Sequence, residues 1–219
     1  MKEYLESTEF IESDHPEISA CAKELTRHIE EEQERVKALF YFVRDRISFR
    51  PLFFNYLPKE EFKASAILKR GYGFCIMKAI LLISLLRSIN IPARLILAEI
   101  RHYQLPETVK LGLKSDVILH GFAEGFLQGN WVKLNPTFDI KYCEIMDYIP
   151  TEFDGEKDAL FHPTDRKGRK LIDYINVLGH FTDLPYEFML EHIRKRYGIL
   201  DRRFFDNVNK GESFYKGWS

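Results

Sequence analysis

The chain has 219 residues, 45% of them hydrophobic and 14% aromatic, enough for one large domain or a domain with an extension. Lys and Arg number 32 against 33 Asp and Glu, so no global field draws it to nucleic acid or to an acidic membrane surface. The longest largely apolar run, Ala79 to Leu86, falls far short of the roughly 20 residues of a membrane span, and "MKEYLESTEF" lacks the apolar region of a signal peptide. Cysteines at 21, 75 and 143 make neither a disulfide framework nor a CxxC pair. A soluble, cytoplasmic protein follows, with no nucleic-acid or membrane partner and no set oligomeric state.

Asp14-His15-Pro16 predicts a helix start, with Asp14 as the cap and Pro16 in the first turn. A second helix is expected from about Glu32, where Val36, Leu39, Phe40, Val43 and Ile47 recur at helical spacing. "ISFRPLFFNYLP" is aromatic and irregular, and "KASAILKRG" reads as a short helix stopped by Gly71. A helix buried on all sides is expected from Cys75 to Ile89, with Asn90 as a left-handed cap and Pro92 beyond. Lys78 within it could steady a thiolate but reads as snorkelling to solvent. "ARLILAEI" reads as a strand, "QLPETVKLGLKSD" as a loop and "VILHGFAEGFLQGNWVKLNPTFD" as a β-hairpin. After residue 140 the chain is turn-rich and charged. Helices are then expected over Leu171–Leu178 and over Pro185–Tyr197, the latter capped by Asp183. The organisation is therefore a core over 1–140 and a mostly helical extension over 141–219 packed on it.

"GYGFC" leads a thiol out of a glycine-rich turn into a helix. The positive end of the helix dipole favours a thiolate there, and the outward amide of Cys75 is a candidate oxyanion donor. Taken alone, such a cysteine is more often a packed core residue. His120 changes that weighting. With Gln128-Gly129 as a two-residue turn, Leu127 faces Asn130, Glu124 faces Lys133 as a charge pair, and Phe122 faces Asn135. Strand alternation puts His120, Phe122, Trp131, Lys133 and Asn135 on one face, with Asn135 diagonal to His120 at roughly 7–8 Å. An Asn135 oxygen accepting from the ring N–H would orient the histidine toward Cys75. Asp139 competes for that orienting role. Scattered histidines without ligand spacing and no phosphate-cradling glycine loop predict no metal and no cofactor. The basic runs "RKGRK" and "RKRYGILDRR" read as solvated faces.

"GYGFC", "LLRSINIPAR" and "HGFAEGFLQGNWVKLNPT", in that order over roughly residues 60–140, resemble the core of the transglutaminase-like superfamily. The resemblance implies an α+β, papain-like fold and a Cys–His–Asp/Asn site carried onto Cys75, His120 and Asn135. Asn135 stands where the family usually has Asp, Phe122 stands for its tryptophan, and Asn90 stands for its glycine. The implied chemistry is acyl transfer through a thioester on peptide or amide bonds, with a peptide or protein substrate. Tyr72 and Phe122 are candidate site walls, Tyr72 also an oxyanion donor. A catalytically silent module that binds peptide or protein is the alternative, and a purely structural Cys75 a third reading. The enzyme reading predicts a Cys75 thiol that alkylates faster, and at lower pH, than Cys21 and Cys143.

Overall fold

A computed structural model describes residues 1–50, 58–105 and 115–197. Most of the aromatic stretch after Arg50 and of the loop after Leu105 lies outside the described residues, as does everything beyond 197.

Helix α1 (Pro16–Thr26) has Pro16 in its first turn. Its cap is His15, whose Nδ1 accepts from Glu17 N at 3.3 Å. Asp14, expected there, sits one residue too early and accepts from the Ser7 hydroxyl instead. Helix α2 (Glu32–Arg46) buries Val36, Leu39, Phe40 and Val43, as its spacing requires. Strand β1 (Ser48–Phe49) pairs in parallel with β2 (Tyr72–Gly73). Between them, α3 (Ala64–Arg70) ends at Gly71, whose φ of 74° is left-handed.

Helix α4 (Cys75–Ser88) buries every residue from Ile76 to Arg87. Each fully buried Leu or Ile there stabilises the fold by about 1.5–3 kcal/mol, which makes α4 the axis of the core. Asn90, at φ 67°, turns the chain out of it. Lys78 does not reach solvent. It is wholly buried, and its Nζ donates to Arg44 O at 2.9 Å and Ile47 O at 2.7 Å, carbonyls at the C-terminal end of α2. Burial lowers its pKa to about 7, against the pull of Asp139 and Asp45.

The main sheet has the order β5-β4-β3-β6. Strands β3 (Ala93–His102), β4 (Val117–Leu127) and β5 (Asn130–Leu134) run antiparallel to their neighbours. Gln128 and Gly129, at φ 48° and 83°, form the hairpin turn. Leu127 faces Asn130 and Glu124 faces Lys133, the register alternation predicted. The expected charge pair does not form. Glu124 binds Arg94 at 2.7 Å and His180 at 3.2 Å, while Lys133 binds Asp158 at 2.7 Å.

The extension carries α5 (Ile140–Met146), strand β6 (Ile172–Phe181) and α6 (Tyr186–Tyr197). Asp183 Oδ1 accepts from Leu184 N at 2.8 Å, just before α6. Residues 172–178, expected as helix, are strand: β6 pairs antiparallel with β3, from Leu95↔Phe181 to His102↔Ile172. Among the described residues no helix is long and apolar enough to cross a membrane.

Candidate active site

Two elements meet at the thiol. The first turn of α4 supplies Cys75, and β4 lies across it with its backbone bare at Gly121. A Cβ there would come 2.6 Å from Ile76 Cγ1 and 3.1 Å from Ile76 Cα. Only glycine allows this approach. Backbone amides of Gly121, Ile76 and Cys75 itself point to the sulfur and favour its thiolate. Gly121 directly follows His120, so the chain brings thiol and imidazole strand to one place. Burial outweighs these amides and pushes the Cys75 thiol up to about 11. This direction runs against the expected acidic thiol: desolvation at the half-buried Cys75 exceeds what the helix-start amides supply.

His120 is buried on the face of β4 opposite α4. Phe161 lies against its ring at 5.0 Å between centroids, Phe122 stacks at 5.8 Å, and Tyr174 meets it edge-on at 6.2 Å. Burial lowers its pKa to about 3; a hydrogen bond that the ring donates to the Asn135 side chain acts the other way, and His102 adds to the lowering. The amide oxygen is the end of Asn135 able to favour a protonated ring. His120 Nε2 is buried with no hydrogen-bond partner among the described residues. An orphaned buried nitrogen costs about 1–3 kcal/mol.

Asn135 is fully buried just past β5. Thr137 Oγ1 donates to its Oδ1 at 2.6 Å, and its Nδ2 donates to the Tyr174 hydroxyl at 3.3 Å. Asp139, the competing third member, is committed elsewhere. Its Oδ2 accepts from Phe49 N at 2.6 Å, and its Oδ1 accepts from Tyr142 N at 2.9 Å as the cap of α5. The structure thus brings Asn135 to His120, while both Asp139 oxygens hold backbone amides. Phe122 walls the histidine. Tyr72 is held between two guanidiniums, Arg50 at 4.2 Å and Arg70 at 5.1 Å from its ring centroid.

Sequence reasoning missed Phe161, Thr137 and Tyr174. Phe161 and Tyr174 come from the extension, where no motif marks them. Thr137 follows Asn135 by two residues, and only the bond it makes to the amide oxygen marks it. Cys21 is half-buried and Cys143 buried, and both are free thiols.

The sequence profile of the transglutaminase-like superfamily matches residues 19–136. No curated protein matches the chain. Among solved structures, a "putative cysteine protease" from Cytophaga hutchinsonii is 16% identical with a TM-score of 0.49, over 81% of this chain and 52% of that one. The periplasmic domain of TgpA from Pseudomonas aeruginosa is 20% identical with a TM-score of 0.43, over 60% of this chain and 45% of that one. Red sea bream transglutaminase is 14% identical with a TM-score of 0.40, over 85% of this chain and 40% of that one. The chain therefore spans about half the length, or less, of these structures. The α+β fold and the profile, which covers over half of the sequence, place this chain in the transglutaminase-like superfamily.

Proposed function

We propose that the protein is a cysteine hydrolase or acyltransferase acting on peptide or amide bonds through a thioester, with Cys75 as nucleophile, His120 as general base and acid, and Asn135 as the group that orients the ring. One observation carries this reading: backbone amides from the start of α4 and from Gly121, beside His120, converge on the Cys75 sulfur.

Because burial holds the thiol near 11 and the ring near 3, thiol and imidazole are both neutral at rest. Attack and proton transfer then go together: as Sγ bonds to the carbonyl carbon, the thiol proton passes to His120. The tetrahedral oxyanion is met by the amides around the sulfur. His120 returns its proton to the departing amine, leaving a thioester on Cys75. Water or a second amine then adds to the thioester, giving a proton to His120; collapse breaks the C–S bond, frees the acid or a new amide, and returns that proton to Sγ. Desolvation that makes the ion pair costly at rest also strengthens the amide dipoles at the oxyanion.

The same burial, with Phe161 closed over His120, favours one other reading, a catalytically silent module that binds a peptide or protein. Peptide-amide and acyl-coumarin probes with intact-mass analysis decide between them. The enzyme reading expects an acyl adduct on Cys75 and turnover reduced by about 10³-fold or more in Cys75→Ala. No adduct with any probe, or turnover that survives Cys75→Ala, leaves the binding module.

A further inference from the structure

An asparagine in the orienting position poses a problem that a carboxylate does not. A carboxylate offers two equivalent oxygens, whereas an amide has an accepting end and a donating end. If Asn135 turned over, its NH2 would face the ring and favour the bare nitrogen. Something must hold the amide the right way round.

We propose that Tyr174 is a positioning residue for the Asn135–His120 pair, holding the amide so that its oxygen faces the imidazole. Tyr174 stands on β6, beyond the residues 19–136 matched by the family profile. Its hydroxyl accepts from Asn135 Nδ2 at 3.3 Å and from Phe161 N at 3.4 Å. The second contact fixes the phenol oxygen as an acceptor at this end of the site. Thr137 Oγ1 engages the amide oxygen from the other side at 2.6 Å. The tyrosine ring is locked edge-on against His120 at 6.2 Å and against Phe122 at 5.9 Å, so its oxygen has little freedom to wander. Burial keeps the hydroxyl a neutral phenol. The role rests on the catalytic reading for its consequence, but the orientation of the amide does not.

The test is Tyr174→Phe, which keeps the ring and removes the acceptor. Nitrogen-15 spectra of the His120 ring are expected to show one tautomer in the wild type and mixed or doubled signals in the variant. With a coumarin ester that acylates Cys75, kcat is expected to fall about tenfold, a part of the roughly 10²–10⁴-fold that acid–base catalysis contributes, with KM unchanged. In an Asn135→Asp background the same change is expected to leave one ring state and cost under about twofold, since a carboxylate has no wrong end. A wild-type ring spectrum in Tyr174→Phe, or equal losses in both backgrounds, would overturn the proposal. If Tyr174→Phe does not fold, 3-fluorotyrosine placed at 174 weakens the acceptor in the intact fold. The His120 resonances should then move, and unmoved resonances overturn the proposal. Absence of turnover in the wild type sinks the catalytic reading and leaves the ring spectra to decide this one.

Discussion

His120 shows how one buried side chain ties the site to stability. Its folded pKa is depressed to about 3 from an ordinary 6.5. Between these values the unfolded chain binds a proton that the folded chain does not, so stability rises with pH across that window and is lost on acidification. Between pH 6 and 5, where carboxylates contribute little, the slope from this residue should approach about 1.4 kcal/mol per unit. Urea titrations at both pH values are expected to show that slope in the wild type and its loss in His120→Gln; an unchanged slope would mean that the ring is solvated. The pairing of His120 with Asn135 was legible in the sequence, because alternation in a hairpin has a period of two and a two-residue turn sets the register. Choosing Asn135 over Asp139 was not, since both follow the hairpin closely. Asp139 is removed by Phe49 N and Tyr142 N, amides set by folding rather than by spacing. The charges of Glu124 and Lys133 sit opposite, as read, but each found a nearer partner from outside the hairpin.

At the level of elements, the site is the contact of the α4 N-terminus with β4, and Gly121 sets its closeness. A methyl group there meets the Ile76 side chain at 2.6 Å and its Cα at 3.1 Å, so the helix must move away. Gly121→Ala is expected to destabilise the fold by about 1–3 kcal/mol and to reduce Cys75-dependent turnover more than that loss explains, since thiol and imidazole part. Denaturant midpoints and turnover on the folded fraction check this; a stable variant with full turnover would show that the approach can relax at no cost. Helix α4 itself was plain in the sequence: a glycine-rich entry, an apolar run, and Asn-x-Pro at its end. Strand β6 was misread. "LIDYINVL" spaces its apolar residues in a way a helix also would, and four of the ten strand residues are exposed, three of them consecutive, which blurs alternation. Pairing with β3, a long-range contact, overrode the local pattern.

Across the molecule, the extension is built into the core. Leu171, Ile172, Met189 and Ile193 are buried in the same cluster as α4. Arg87 on α4 donates to Glu6 O at 2.7 Å, to Ala93 O at 3.0 and 2.8 Å and to Thr182 O at 2.7 Å, tying the N-terminal segment, β3 and the entry to α6 together. A chain ended after residue 140 would bare the β3 edge and leave His120 without Phe161 and Tyr174. It is expected to lose cooperative unfolding and near-ultraviolet ellipticity and to bind ANS; a cooperative transition in that fragment would show that the core stands alone.

By itself the sequence determined the helix that starts at Cys75, the hairpin that aligns His120 with Asn135, and through these the family. Such features are carried by residues a few positions apart, where periodicity, capping and turn chemistry act directly. The tertiary structure decided what state those groups are in. Desolvation of the thiol, burial of the ring, the capture of Asp139, the inward turn of Lys78 and the grip of Tyr174 on Asn135 all depend on chain segments far apart in sequence. Desolvation and hydrogen-bond partnership exist only once those segments have packed.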